Sequence, residues 1–214
     1  MNCLSLKQIS KILLSITCCC LLSGCAAGRL VFDSINQAKP DVEHPLSYKC
    51  DSFSFSYPGN WVIDRQTHMK GNIFDDLVRI KTGKGVVTSS IDLTCYNSPY
   101  NKKVAQDLIG QVSKPFTKEI QTVEDATWSG LSGVGKESVF EQSGADVGID
   151  SKVRLSYRFF FSPAGGDTQT LVVHFGGLQS DVKRNRSGFD LVEKTFKLAE
   201  KTSKRSEVVT EDQR

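Results

Sequence analysis

The stretch SFSFSY (Ser52–Tyr57) decides the fold class, because aromatic and serine side chains alternate along it without exception. Successive side chains of a β-strand point to opposite faces, so the aromatic rings share one face and the serines share the other. Pro58 and Gly59 then end the strand, and Trp61 begins another apolar segment. The pattern predicts two strands, the first with a buried aromatic face.

Further segments along the chain carry the alternating or apolar patterns of strands. They are Leu77–Ile80, Ile91–Cys95, Glu119–Val123, Gly135–Phe140, Val153–Phe161 and Leu171–Phe175. In Val153–Phe161 every odd-numbered position is apolar, and we expect those side chains to face the core. Lys152, Arg154 and Arg158 lie at the alternate positions, so we expect them on the solvated face of the sheet.

Two segments show the helical period instead. In Asn101–Ser113 apolar residues recur every four positions, which is typical of an amphipathic helix. Phe189, Val192 and Phe196 share one face of a second predicted helix, which ends near Leu198. Because the strands cluster and the helices are few, the chain is predicted to be α+β, with an antiparallel sheet flanked by helices.

The first 24 residues have the layout of a secretory signal peptide. Lys7 and Lys11 precede an apolar run of about eleven residues. A membrane-spanning helix needs about 20 apolar residues, so this run is too short to be a permanent anchor. We therefore expect residues 1–24 to be removed from the mature protein.

The end of this segment predicts a different kind of anchor. Leu22-Ser23-Gly24-Cys25 resembles the lipobox of bacterial lipoproteins, in which the cysteine receives acyl chains such as palmitate. Ala26 follows, and in the enterobacterial sorting rule this resembles an outer-membrane lipoprotein. The resemblance implies a membrane anchor on Cys25 and a domain in the periplasm.

The rest of the chain divides by composition into three parts. Residues 25–46 mix charges with proline and glycine and are predicted to be a tether. Residues 47–199 hold the predicted domain, which is long enough for an independent core. Residues 200–214 are almost all polar or charged and cannot bury enough surface to fold, which predicts a disordered tail.

The charge balance argues against one class of partner. The chain has 27 Lys and Arg against 24 Asp and Glu, a net charge of +3. Loss of the signal segment removes two lysines and lowers this value to +1. A nearly neutral chain lacks the basic footprint that nucleic-acid binding requires, so no nucleic-acid partner is expected.

Four stretches in order resemble PsbP-like domains. They are FSFSYPGNW (Phe53–Trp61), TWSGLSGVGKESVFEQ (Thr127–Gln142), the strands YRFFFSP and TLVVHFGG, and the closing SGFDLVEKTFKL (Ser187–Leu198). The match covers roughly Ser47–Leu198, and a lipobox ahead of such a domain is also similar to the DcrB-like bacterial lipoproteins. The resemblance implies an α/β/α sandwich around an antiparallel sheet. It carries no catalytic residues, metal site or cofactor, and it implies an adaptor or assembly factor.

One candidate interaction surface follows from strand alternation. His174 shares a face with Thr170 and Val172 on its strand, opposite Leu171 and Phe175. If this strand pairs with the preceding one, His174 is expected to join Lys152, Arg154 and Arg158 in a small basic surface. Such a surface would bind an acidic partner or a lipid headgroup, and the alternative is a solvated sheet face without a ligand.

Cys50 and Cys95 are the two cysteines left beside Cys25, and an oxidising compartment favours a disulfide between them. Strand alternation argues against it. Cys95 shares a face with apolar residues of its strand, whereas Cys50 has the parity of the serines. Opposite faces are not bridged without a bulge or a twist at a strand end, so the sequence leaves the disulfide open.

Two further segments carry weaker patterns of chemically active residues. Gly130, Gly135 and Lys136 spell most of a phosphate-binding loop, but Glu137 replaces the required Ser or Thr, which favours a glycine-rich β connection. Asp64, His68, Asp75 and Asp76 could surround a metal, but their spacing enforces no convergence, which favours a solvated loop.

The sequence thus predicts a non-enzymatic envelope lipoprotein without a cofactor. Its expected role is an adaptor or accessory factor that binds another envelope protein. The alternative is a small-ligand or lipid-binding module, with a pocket between sheet and helix.

Overall fold

The structure, a computed structural model, describes residues 38–69, 73–83, 88–113, 118–124, 127–143 and 152–199. The predicted signal peptide (1–24), Cys25, the tether as far as residue 37 and the tail (200–214) lie outside the described residues. Among the described residues, no helix combines the length and apolar character needed to cross a bilayer.

Strands form most of the described chain. They are β1 (Leu46–Lys49), β2 (Phe53–Tyr57), β3 (Val62–His68), β4 (Phe74–Lys81), β5 (Ser90–Tyr96), β6 (Lys118–Glu124), β7 (Val134–Ser143), β8 (Lys152–Ala164), β9 (Gln169–Leu178) and β10 (Lys197–Leu198). The helices are α1 (Lys102–Ser113), α2 (Gln179–Arg184) and α3 (Arg186–Thr195). The predicted order of strands and helices is confirmed, and β1, β10 and α2 are additions.

Two antiparallel sheets organise these strands. The large sheet has the order β3-β4-β5-β9-β8-β7-β6, and the small sheet has the order β1-β2-β10. The inner face of the large sheet packs on the small sheet, α2 and α3 through one core that includes Phe53, Leu93, Phe160 and Val192. The outer face packs on α1 through a second apolar cluster. The α+β class with an antiparallel sheet between helices is therefore confirmed.

The decisive SFSFSY stretch behaves as its alternation predicts. Phe53, Phe55 and Tyr57 are buried, and the serines between them are half-buried. Phe53 contacts Phe196, which follows α3, with 5.6 Å between ring centroids. Helix α3 and the large sheet thus pack on the aromatic face of the small sheet.

Strand β8 differs from the expectation in which face is buried. Phe160 is fully buried and Arg158 is only 8% exposed, whereas Tyr157 and Phe159 are half-buried. The even-numbered positions therefore face the main core, and the odd-numbered apolar positions lie on the outer face. The reason is that β8 is an interior strand covered on both faces, so alternation alone does not reveal which face is deeper.

The segment before β1 and the end of the last helix also differ from the expectation. Before β1, the main-chain oxygens of Lys39 and Asp41 accept hydrogen bonds from the turn at Gly59 and Asn60, at 2.8–3.0 Å. The predicted tether boundary at residue 46 thus lies inside the fold. At the other end α3 stops at Thr195, and the next residues join β2 as β10 instead of continuing the helix to Leu198.

Candidate functional site

His174 is the centre of a polar row on the outer face of the large sheet. Its ring stacks on Phe159 with centroids 4.4 Å apart and on Tyr157 with centroids 5.8 Å apart, and both interplanar angles are below 15°. Gly176 provides the space for Tyr157, because a Cβ at Gly176 would lie 2.1 Å from Tyr157 Cδ1. The imidazole is therefore fixed by stacking contacts with two aromatic rings of β8.

Asp92 joins His174 to Arg79 across three neighbouring strands. The three residues lie directly opposite one another in the β4–β5 and β5–β9 registers, so their side chains share the outer face. Arg79 donates from Nε to Asp92 Oδ1 at 2.5 Å and from Nη2 to Asp92 Oδ2 at 3.3 Å. His174 Nδ1 lies 3.3 Å from the same Oδ2. We call Arg79, Asp92 and His174 the outer-face row.

The charges in this row keep the carboxylate ionised. Burial raises the pKa of Asp92, but hydrogen bonds and charge interactions with His174 and Arg79 outweigh burial and lower it below the ordinary value of 3.8.

In catalytic triads an aspartate orients a histidine that acts as a base. Here the same carboxylate also forms a two-point pair with Arg79, and His174 Nε2 is buried without a hydrogen-bond partner among the described residues. The row is thus suited to fixing three strands together.

Asp92→Asn tests this role of the row. We expect a loss of about 1 kcal/mol in the free energy of unfolding at pH 7, because the charge-assisted bonds to Arg79 weaken. A lowered carboxyl pKa stabilises the fold above pH 3.8, and this contribution is lost as the pH falls through the folded pKa. Denaturant unfolding of wild type and variant from pH 6 to pH 2 should therefore show a shrinking difference. A difference that stays constant over that range would contradict the assignment.

The predicted basic surface does not form as one surface. Arg158 lies directly opposite Phe175 in the β8–β9 register, and His174 lies opposite Phe159, so Arg158 and His174 point to opposite faces of the sheet. Arg154 is exposed near Glu141, with 4.0 Å between Nε and Oε2. Lys152 pairs in register with Ser143 at the far end of β8.

Arg158 is instead a buried link between β8 and α3. It donates to Thr127 O at 2.8 Å and to Glu193 Oε2 at 3.4 Å, and its guanidinium lies 5.7 Å from the ring centre of Phe175. Because α3 covers this part of the inner face, the arginine is surrounded by protein. Alternation predicted a solvated arginine because it carries no information on which helix packs above the strand.

The residues of the two weaker patterns do not come together as a phosphate site or a metal site. Gly130 lies in the turn before β7, whereas Gly135 and Lys136 lie inside that strand, so the glycine-rich connection holds only for Gly130. His68 Nδ1 lies 2.6 Å from Asp76 Oδ1, but Asp64 pairs with Lys81 at 2.8 Å. In the part of the chain that the structure describes, no three His, Cys, Asp or Glu side chains are grouped as a metal site would require.

Cys50 and Cys95 are free thiols that pack on the same core. Cys50 lies in the turn between β1 and β2, outside the strand whose parity argued against a disulfide. Burial raises the pKa of Cys50 to about 11 and that of Cys95 to about 12. The disulfide stays a prediction, but the parity argument against it no longer applies.

Sequence reasoning missed Arg79 and Asp92. Each is a charged residue inside an apolar strand segment, within Leu77–Ile80 and Ile91–Cys95 respectively. Charged residues are rarely buried unless they are paired, so their opposite signs in neighbouring strands were the available signal. The sequence does not show that these residues face each other across neighbouring strands, because strand pairing depends on the topology of the whole sheet.

Comparisons with known proteins give structural likenesses at low identity. No family model matches the chain, and no curated protein matches it. It is similar to LpqN, involved in cell envelope biogenesis of Mycobacterium tuberculosis, at 12% identity and a TM-score of 0.45, over 73% of this chain and 92% of that one. It is also similar to the Ran-binding protein Mog1p of Saccharomyces cerevisiae, at 7% identity and a TM-score of 0.46, over 73% and 96%.

Cyanobacterial PsbP from Synechocystis is a third similar structure. Its identity is 13% and its TM-score is 0.40, over 72% of this chain and 92% of that one. PsbP is the family that the sequence resembles. At these values the likenesses transfer no residue role or partner to this chain.

Proposed function

We propose that this chain is a non-enzymatic lipoprotein of the bacterial envelope, held on the outer membrane by acyl chains on Cys25. Its domain works in the periplasm as an adaptor or assembly factor that binds another envelope protein. The anchor is supported by the sequence alone, through the basic and apolar signal segment and the lipobox that ends at Cys25.

The groups whose pKa values are shifted most are poorly suited to acid–base catalysis, which supports a non-enzymatic role. General acid–base catalysis works best when the pKa of the catalytic group lies near the working pH. Burial raises the pKa of Tyr96 and of Tyr48 to about 12, and the two cysteine thiols are raised as well. The carboxyl of Asp92 moves the other way, because its partners outweigh its burial. These groups are thus all shifted away from neutral pH.

The buried polar groups support an adaptor because they hold the domain together. Arg158 joins β8 to α3, and Asp181 of α2 accepts hydrogen bonds from the β4–β5 connection. Asp76 joins the large sheet to the β1–β2 turn. A domain tied internally in this way presents a preformed surface, and preformed surfaces bind proteins without a large ordering cost.

One experiment tests the anchor and the partner together. The full-length protein is produced in bacteria with a clickable fatty acid and a photo-crosslinking amino acid on the domain surface. We expect fatty-acid labelling, recovery with the outer membrane and one crosslinked envelope protein in near-stoichiometric yield. Cys25→Ser should abolish the labelling and release the protein from the membrane. Cys50→Ser, the matched control, should keep both.

Two outcomes would count against the proposal. Fatty-acid labelling that persists in Cys25→Ser would refute the lipid anchor. Recovery of bound lipid or a small molecule, with no crosslinked protein, would refute the adaptor and support the ligand-binding alternative.

A further inference from the structure

The turn between β1 and β2 is fixed to the large sheet beside Cys50. The Cys50 thiol donates to the main-chain oxygen of Phe53 at 3.4 Å, and the Cys50 main-chain N–H donates to the same oxygen at 3.0 Å. Ser52 N–H donates to Asp76 Oδ2 at 2.9 Å. Asp76 is 1% exposed, so the turn carrying Cys50 sits directly over a buried residue of β4.

Cys95 is the cross-strand neighbour of the same aspartate. Cys95 on β5 is directly opposite Asp76 on β4, so their side chains share the inner face. Asp76 is thus both the cross-strand neighbour of Cys95 and the residue to which the Cys50 turn is hydrogen-bonded through Ser52. Cys50 also packs against the buried core cluster that contains Cys95. Both cysteines therefore belong to one cluster at the junction of the two sheets.

We propose that Cys50 and Cys95 are a disulfide-forming pair that fastens the β1–β2 turn to the large sheet, and that Cys50 is the entry thiol. The oxidant is a compound or protein with an exchangeable disulfide. The Cys50 thiolate attacks one oxidant sulfur, which forms a mixed disulfide and releases the other sulfur as a thiolate. The Cys95 thiolate then attacks Cys50 Sγ and releases the first oxidant sulfur. The oxidant disulfide is reduced to two thiols, which take up the two protons lost by the cysteines.

The order of attack follows from exposure. Cys50 is half-buried at the turn, whereas Cys95 is 1% exposed in the main core, so an oxidant reaches Cys50 first. The thiolate is the reacting species. Because burial holds the pKa of Cys50 near 11, its thiolate fraction rises about tenfold per pH unit between pH 7 and pH 9. Mixed-disulfide formation at Cys50 should accelerate in the same proportion.

Peptide mapping of the full-length chain tests the pair without interference from the other cysteines. The reduced protein is exposed in its folded state to oxidised glutathione, quenched with acid, alkylated and digested with trypsin without reduction. Trypsin places Cys50 in peptide 50–65 and Cys95 in peptide 85–102, and each peptide contains one cysteine. We expect the two peptides to be recovered as one linked species that separates after reduction.

Two variants test the order. Cys95→Ala should accumulate glutathione on Cys50, at a rate that rises with pH as stated above. Cys50→Ala should leave Cys95 unmodified until the protein is denatured. Circular dichroism of both reduced variants checks that they are folded.

The wild-type measurement decides the pair even if a variant fails to fold. Recovery of both peptides only as separate alkylated species, or each bound to glutathione, would overturn the proposed disulfide. Faster modification of Cys95 in Cys50→Ala than of Cys50 in Cys95→Ala would overturn the order. The inference concerns the isolated protein, so it stands or fails independently of the adaptor role.

Discussion

Asp181→Ala is expected to lower the free energy of unfolding by about 3 kcal/mol, the largest loss among the substitutions considered. Asp181 is 2% exposed in the first turn of α2. Its Oδ2 accepts hydrogen bonds from Ser89 N at 2.8 Å and from Thr82 Oγ1 at 3.4 Å, and its Oδ1 accepts one from Asn185 Nδ2 at 3.1 Å. Alanine removes both acceptor oxygens, and with them all three hydrogen bonds, and leaves the Ser89 N–H buried without this partner, which is the costly part of the change.

The control for this prediction is Asp190→Ala in α3. Asp190 pairs with Arg186 at 2.9 Å, but both side chains are more than one-third exposed. Pairs of this kind contribute less than about 1 kcal/mol, so we expect little change. Urea unfolding of both variants and wild type gives the comparison. Equal losses for Asp181→Ala and Asp190→Ala would show that Asp181 does not fasten α2 to the β4–β5 connection.

Gly188→Ala is expected to lower the free energy of unfolding by about 2 kcal/mol, because α3 packs too closely on Trp61 to accept a methyl group. A Cβ at Gly188 would lie 2.3 Å from Trp61 Cζ2 and 2.8 Å from Pro58 Cγ. Trp61 is 3% exposed and contacts Phe189 with ring centroids 5.1 Å apart, so its ring cannot move aside. The helix must shift away from the core instead.

The same substitution at Gly110 should have the opposite effect on the free energy of unfolding. Gly110 is exposed on α1, and a Cβ there meets nothing within 4 Å. Alanine loses less conformational freedom than glycine when a helix forms, so Gly110→Ala should stabilise the protein by about 0.5–1 kcal/mol. Shifts of both variants in the same direction in urea unfolding would contradict the close contact between α3 and Trp61.

The residues in these predictions also show which contacts a local sequence pattern can predict. The helix that holds Gly188 was predicted from its apolar spacing, but the closeness of Trp61 was not. Asp181 lies in α2, a six-residue helix too short for a periodic pattern, and its partners Thr82 and Ser89 are more than ninety residues away in sequence. Contacts of this range depend on how the sheets and helices pack, which no single segment encodes.

Cys50 and Arg158 show the same limit of predictions from strand alternation. Parity assigned Cys50 to the serine face of β2, but Cys50 lies in the turn before that strand, where strand parity does not apply. Parity grouped Arg158 with His174 because it assumed that the two strands meet in a different register. In both cases the alternation of side chains within the strand was predicted correctly. The sequence did not show where that strand begins or which residues of the neighbouring strand it faces.

The sequence alone determined the α+β class, the aromatic face of β2, the positions of α1 and α3, and the expectation of a lipid on Cys25. Each depends on residues near one another in the chain, where side-chain direction follows from the backbone period. The tertiary structure alone decided which face of β8 is deeper, the division into two sheets, and the meeting of Arg79, Asp92 and His174. These depend on strand register and on the coverage of both sheet faces, which are set by the packing of the whole domain.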